Sequence, residues 1–352
     1  MTTCFTNLGR ATLCLAVLTL LAACSQAGPA TTGGAGGSTK LILGAYTTPR
    51  EAYGQLIPLF ATGWKAETGQ NVTFEESYLG SGAQSRAVIE GFEADVVALS
   101  LQADVDRIAQ AGLLDPDWQA AMPNQGIVST SIVVFAVRPD NPKNIHDWAD
   151  LAQPGLDVLT PNPKTSGGAM WNVLALFGAA LRGHVAGVPA NDEAAATEFL
   201  AAVLRNVTVM DKGARESITN FEKGVGDVAI TYENEVLVGR QAGQDYEMVI
   251  PRSTLLIVNP VAVVDAYADK HGTRAAAEAF VAFLFTSPAQ EIYAQHGLRA
   301  VDPEVASAHL SEYPPVEDLF TIEFFGGWSA ATPKYFGEDG LFTRASAAAQ
   351  GQ

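Results

Sequence analysis

From Lys40 onward, short apolar runs alternate with longer stretches patterned as amphipathic helices. The short runs predict strands over Leu41–Ala45, Asn71–Tyr78, Asp95–Leu99, Ser131–Val137, Asp157–Thr160, Val207–Met210, Val228–Tyr232, Glu247–Ile250 and Leu256–Val264. The longer stretches predict helices over Arg50–Thr68, Gln84–Gly91, Asp104–Ala111, Ala169–Leu181, Glu193–Leu204, Ser217–Lys223, Arg274–Phe285 and Pro288–His296. Alternation of this kind implies an α/β fold, with largely parallel sheets covered by helices. No internal repeat of fixed period interrupts it.

The pattern changes before Lys40. Arg10 is the one charge in the first 25 residues, and the stretch Ala11–Ala23 after it is mostly apolar. Thirteen helical residues span roughly 20 Å, short of a bilayer core of about 30 Å. A basic start, a short apolar segment and small residues at its end predict a signal peptide over 1–23. Leu21-Ala22-Ala23-Cys24 resembles a bacterial lipobox, which implies cleavage before Cys24 and a diacylglycerol on its sulfur. Residues 24–39 are rich in Gly, Ser and Thr, and read as a flexible tether. The expected location is outside the cytoplasmic membrane, held to it by lipid. No later run approaches 18 apolar residues, so no spanning helix is expected.

Composition narrows the class. A chain of 352 residues is long enough for about two domains. A content of 48% hydrophobic and 17% charged residues argues for a packed globular protein rather than disorder. Acidic residues outnumber basic ones 38 to 21, for a net charge of −17, which argues against a nucleic-acid partner. Loss of residues 1–23 would remove one Arg and no acid, taking −17 to −18. Cys4, Cys14 and Cys24 all fall within the first 24 residues, so the body has no thiol chemistry, disulfide or Cys-bound metal.

Parallel α/β sheets bind ligands where strands end and helices begin. Four such junctions share a character. Thr48-Pro49-Arg50-Glu51 reads as a capping box, with Thr48 at the N-cap. Gly80-Ser81-Gly82, Thr165-Ser166-Gly167-Gly168 and Lys212-Gly213-Ala214-Arg215 each lead into a helix. First-turn N–H groups have no intrahelical partner, and the helix dipole adds partial positive charge there. Such starts suit an anion without needing a basic residue. Each one alone is also what ordinary capping looks like. Walker and dinucleotide glycine loops are absent, which argues against an NTPase or a nicotinamide or flavin enzyme. His146, His184, His271, His296 and His309 lie in no metal spacing, and no G-x-S-x-G elbow occurs. Neither a metal nor a cofactor is expected. Glu233 and Glu235, read on a strand, would point the same way, toward solvent, and a structural or hinge role is expected of them; an acid/base pair is the alternative.

Asn162-Pro163-Lys164-Thr165-Ser166-Gly167-Gly168-Ala169-Met170-Trp171 resembles the signature of bacterial sulfate-binding proteins, the receptors of sulfate ABC transporters. Gly80-Ser81-Gly82, Gly213-Ala214-Arg215, Glu233-Asn234-Glu235, Phe325-Gly326-Gly327-Trp328 and the Asn141–Trp148 stretch are similar too, collinearly from about Lys40 to Phe342. The resemblance implies a type II periplasmic-binding-protein fold: two α/β lobes, each a mostly parallel sheet flanked by helices, around a ligand cleft. Residues 40–125 plus 253–320 would form lobe 1, and 126–252 plus 321–352 lobe 2. It also implies roles. Ser166 would donate its hydroxyl to sulfate. Gly167, Gly168, Ala214 and Thr47 would donate backbone N–H groups, and Ser81 a further donor from the first lobe. Tyr232 stands where the family has a Trp whose indole N–H donates. Met170 stands where an Arg is common. The implied partners are sulfate, an ABC permease and, through Cys24, the membrane, with the chain a monomer. Thiosulfate, molybdate and other tetrahedral oxyanions are alternative ligands, and an oxyanion-ester enzyme is a more distant alternative.

Overall fold

The computed structural model describes residues 38–120 and 122–351. The leader 1–23, Cys24 and most of the tether 24–39 lie outside those residues. Eleven strands follow in order: β1 (Ser38–Tyr46), β2 (Asn71–Leu79), β3 (Val96–Ala98), β4 (Ile127–Val137), β5 (Val158–Pro161), β6 (Val207–Asp211), β7 (Val228–Tyr232), β8 (Glu247–Val249), β9 (Ser253–Val263), β10 (Arg299–Ala300) and β11 (Asp318–Phe320). Eight of them pair in the order β2-β1-β3-β9-β4-β7-β5-β6, while β8 and β10 pair with β4 and β11 with β9. Two parallel groups, β2-β1-β3 and β7-β5-β6, stand at the two ends.

β9 and β4 join the two groups. The Val261–Val263 end of β9 runs antiparallel to β3, and its Leu256–Pro260 stretch pairs with Ile127–Ile132 of β4. The remaining Val133–Val137 of β4 then pairs with β7. Each of these eleven-residue strands therefore begins in one lobe and ends in the other. Such double crossing links the two groups into one continuous sheet, with apolar cores on both faces at each end. Side chains alternate between those faces with the period of two that a strand imposes. Val133, Phe135 and Val137 enter one core, while Ile132, Val134 and Ala136 enter the core on the opposite face. Val96 and Ala98 separate from Val97 and Leu99 in the same way in the other lobe. Strands buried on both faces read as continuous apolar runs, which is why they were visible in the sequence.

Helix Gly167–Leu181 is apolar apart from Asn172, whose amide donates to Thr160 and Ile230, and it is buried from Gly167 to Ala180, as a helix of that composition must be. Trp171 meets Trp328 edge to face at 4.6 Å, and Phe177 meets Tyr335 at 5.1 Å. These rings bring helices Gly327–Phe336 and Leu341–Gln350 onto the second lobe. Neither helix was expected, nor were Asp265–His271 and Pro303–Ala308.

Other differences matter more. Glu233–Gln241 is a helix, not a strand continuing past Tyr232. The capping box does not form: Pro49 is the N-cap, with no side-chain cap bond, and Glu51 turns away to Arg215. Four helices begin two or three residues before the apolar pattern does, at Ser81, Gln102, Gly167 and Ala214. The first turn needs no side-chain periodicity, so it is invisible to a periodicity argument.

Asp318 ties β11 to the lobe-crossing strand β9. It accepts hydrogen bonds from Ser253 Oγ at 2.6 Å and Arg182 Nε at 2.8 Å. The Arg182 guanidinium holds its carboxyl down at about 2. A carboxyl depressed by folding stabilises the protein above its unfolded value, near 4, and loses that contribution as pH falls toward the folded one. Asp318→Asn should therefore lower the urea midpoint at neutral pH, and the gap from the parent should shrink as pH approaches 2. A gap independent of pH would remove the ion-pair account.

Candidate functional site

The chain leaves β1 at Thr47, β2 at Gly80, β5 at Asn162 and β6 at Lys212. Parallel neighbours end on the same edge of their sheet, so these exits line the facing rims of the two lobes. Ser81 opens helix Ser81–Ile89, Gly167 and Gly168 open helix Gly167–Leu181, and Ala214 opens helix Ala214–Glu222. Tyr232 is the last residue of β7.

Close contacts join these residues into one cluster. A methyl group on Gly168 would lie 2.7 Å from Tyr232 Cε2, 3.2 Å from Ala214 Cβ and 3.4 Å from Ser166 Oγ. On Gly167 it would lie 2.6 Å from Ser100 Oγ, and on Gly213 it would lie 3.6 Å from Thr47 Oγ1. Ser100 N–H in turn donates to Ser81 Oγ at 3.0 Å. All seven residues singled out in the sequence (Thr47, Ser81, Ser166, Gly167, Gly168, Ala214 and Tyr232) thus come together. None of the five with side chains larger than hydrogen is more than 9% exposed, so the lobes are closed over the site.

Direct bonds hold that closure. Ala83 N–H donates to Thr165 O at 3.2 Å, and Trp171 Nε1 donates to Ser100 O at 3.0 Å. Ser100 Oγ and Tyr232 OH lie 2.6 Å apart. Gly80 is fixed as glycine by this approach, because a Cβ there would sit 2.5 Å from Thr165 O and 2.8 Å from Lys212 O.

The hydroxyls are committed differently. Ser81 Oγ donates to Asp104 Oδ2 at 2.6 Å and accepts from Ser100, so its hydroxyl proton is already committed. Ser166 Oγ accepts the Ala169 N–H at 3.3 Å and keeps its proton free to donate. Burial pushes the Tyr232 hydroxyl well up, so it stays protonated.

Acidic residues also crowd the cleft, each beside a cation. Arg215 bonds Glu51 at 2.5 and 2.9 Å, Glu235 at 2.7 Å and the Thr48 carbonyl at 3.1 Å. Arg299 forms a two-pronged pair with Glu233 at 2.7 and 2.8 Å. Arg107 bonds Asp104 at 2.9 Å. Burial raises the carboxyls of Glu233, Glu235 and Asp104 against the pull of these cations. Burial also pushes Glu51 up, but Arg215 outweighs it and holds the carboxyl below the usual range. Glu233 and Glu235 are therefore buried ion-pair partners and do not face solvent. Arg50 lies over the Tyr78 ring at 5.0 Å, away from this network, and Met170 packs into the second-lobe core. Among the described residues, no cluster of three or more His, Cys, Asp or Glu could hold a metal.

Sequence reasoning missed Ser100 and Asp104. Ser100 lies just past β3, at a fifth strand exit. The absence of glycine there hid it.

The fold and the buried, donor-lined cleft define a binding protein that closes on a small solute. A family model for bacterial extracellular solute-binding proteins matches residues 41–299, and the chain belongs to that family. The "Sulfate-binding protein" of Synechococcus elongatus is 43% identical, covering 97% of this chain and 96% of its own. That of Synechocystis is 46% identical over 86% of this chain and 85% of its own. The solved structure of the sulfate-binding protein SubI from Mycobacterium tuberculosis superposes with a TM-score of 0.77 at 38% identity, over 85% of this chain and 99% of that one.

Arg215→Ala would strand the Glu235 carboxylate, whose side chain is 1% exposed. Removing one partner of a buried pair costs about 3–5 kcal/mol. Chemical unfolding of the variant should show a loss of that size. A loss below about 1 kcal/mol would mean the pair is screened like a surface one.

Proposed function

We propose that this protein is an extracytoplasmic receptor that binds sulfate between its lobes and delivers it to an ABC-type permease. The observation that carries the reading is the meeting of three helix starts and the Ser166 hydroxyl in one buried cleft. In this reading Thr47, Ser81, Gly167, Gly168 and Ala214 donate backbone N–H groups, Ser166 donates its hydroxyl, and Tyr232 closes the wall. The sulfate-binding relatives over nearly the full chain support the choice of oxyanion.

The physics suits a fully ionised anion. Sulfate at neutral pH carries no proton, and a set of donors satisfies all its oxygens. Charge-assisted bonds in a water-poor cleft are stronger than neutral ones, which offsets the loss of hydration. Local dipoles, not net charge, do the attracting, because the chain as a whole carries −17. Added salt should screen the overall repulsion. Closure over the ligand then gives a permease a distinct surface to recognise. The reading is of a receptor without turnover: Ser166 is engaged by its own helix and no imidazole bonds it.

Location belongs to the same proposal. The Cys24 sulfur carries the lipid, and residues 24–39 tether the lobes as a monomer. No helix among the described residues is long and apolar enough to cross a membrane. Cys24→Ser should release the protein from the membrane fraction, and retention would count against a lipid anchor.

Calorimetry with sulfate, thiosulfate, molybdate and phosphate tests the ligand. Sulfate should bind one to one, and saturation at a hundredfold over Kd should add about 2.7 kcal/mol of stability. Gly167→Val should keep the far-UV spectrum yet lower sulfate affinity by about a hundredfold or more, since its side chain would strike Ser100 and Leu101 and hold the lobes apart. Unchanged affinity in that variant would put the site elsewhere, and no heat with any oxyanion would overturn the receptor reading.

A further inference from the structure

We propose that a cation-rich lip on the outside of the closed cleft is the surface on which the permease docks, and that it fits an acidic extracytoplasmic segment of that partner carrying apolar side chains. The proposal rests on the receptor reading and adds to it where the partner binds and which chemistry recognises it.

The lip is assembled from both lobes. One contributes Arg50, Leu79 and Arg86, and the other Lys164, Met210 and Lys212. Closure brings these stretches together. A Cβ on Gly80, next to Leu79, would lie 2.5 Å from Thr165 O and 2.8 Å from Lys212 O. Ala83 N–H donates to Thr165 O at 3.2 Å. A Cβ on Gly82 would lie 3.6 Å from Arg86 Nη1 and 3.5 Å from Thr165 O. Arg50 lies over the ring of Tyr78, the residue before Leu79. The six side chains therefore surround one seam, and the seam exists only while the lobes touch.

Charge and apolar surface coincide there. Arg50, Arg86, Lys164 and Lys212 are all exposed, and none forms an ion pair with a described residue. The neighbouring acids are engaged: Glu51 by Arg215, Glu76 by the Tyr78 hydroxyl, Asp211 by Ser217 and Asn220, while Glu216 folds back onto Gly213. Leu79 is 41% exposed and Met210 39%, at the ends of the two outermost strands, β2 and β6. On a chain of net charge −17 such a lip is an exception. An acidic partner is repelled by the chain as a whole and attracted here, so the pattern orients it as well as binding it. Steering of sulfate does not account for the lip. Its two halves meet only once the anion is enclosed, and Leu79 and Met210 offer a dianion nothing. A partner that needs both halves binds the closed form better than the open one, and so reads whether the receptor is loaded.

The test is uptake of radiolabelled sulfate by cells in which a variant replaces the parent chain, measured against cells lacking the chain. External sulfate is held about a hundredfold above the calorimetric Kd, so that every receptor is loaded. Lys164→Gln with Lys212→Gln removes charge from the lip, and Leu79→Gln with Met210→Gln removes its apolar part. Each pair should keep the sulfate Kd within about threefold, because exposed charges are screened, and should lower maximal uptake by about tenfold or more. Lys65→Gln with Arg205→Gln is the control: both are exposed cations that precede the starts of β2 and β6, at the strand ends opposite the cleft. It should leave uptake within about twofold of the parent. Thermal melts identify a pair that fails to fold, and the other pair then carries the comparison. Uptake within about twofold of the parent in a folded lip pair overturns the docking proposal and leaves the receptor reading intact. So does an equal loss in the control, or a loss that disappears at saturating sulfate, which would assign the lip to capture of the anion. A parent that binds no sulfate and supports no uptake overturns both.

Discussion

The molecule is organised around helix starts that meet in one closed cleft. The first turn of any helix leaves backbone N–H groups open. Here the helix starts at Ser81, Gly167 and Ala214 meet at the closed interface between two lobes. A buried open donor is costly, so an arrangement that concentrates several of them requires an anion or water to complete it. The small residues at these starts follow from the same demand. Gly80 lets two carbonyl groups pass close by, and Gly167 and Gly168 let Ser100 and Tyr232 do so.

An acidic protein can hold an anion only if its nearby carboxylates are neutralised where they stand. Arg215 serves Glu51 and Glu235 together, Arg299 serves Glu233, and Arg107 serves Asp104. Two of these clusters also span the lobes, so charge compensation and closure depend on the same side chains. Arg215 reaches from the helix it opens in one lobe to the Thr48–Glu51 turn in the other. Salt and acid should therefore act on closure as well as on the ligand.

Secondary structure was legible wherever packing imposed a period. Helix Arg50–Thr68 and strand Val228–Tyr232 lie where the apolar pattern put them. Helix Glu233–Gln241 did not announce itself, because Glu233, Asn234 and Glu235 are buried polar residues and imitate an exposed face. The site was legible for a separate reason. Glycine and serine at strand exits are local marks, and the four junctions could be picked out one at a time. Ser100 carried no such mark, since its importance comes only from what it touches.

The sequence by itself determined the α/β order, the apolar strands and the residue types that leave open donors at helix starts. These depend on neighbours a few positions apart, through periodicity and first-turn geometry. Tertiary structure alone decided which partners meet across the closure. Ser100 finds Tyr232 across 132 positions, Arg215 finds Glu51 across 164, and Arg299 finds Glu233 across 66. Those pairings follow from two strands crossing between lobes and from the lobes coming together, and no local pattern encodes them. Whether Glu233 faces solvent or a guanidinium, and whether Tyr232 stands alone or beside a second hydroxyl, is settled only at that closed interface.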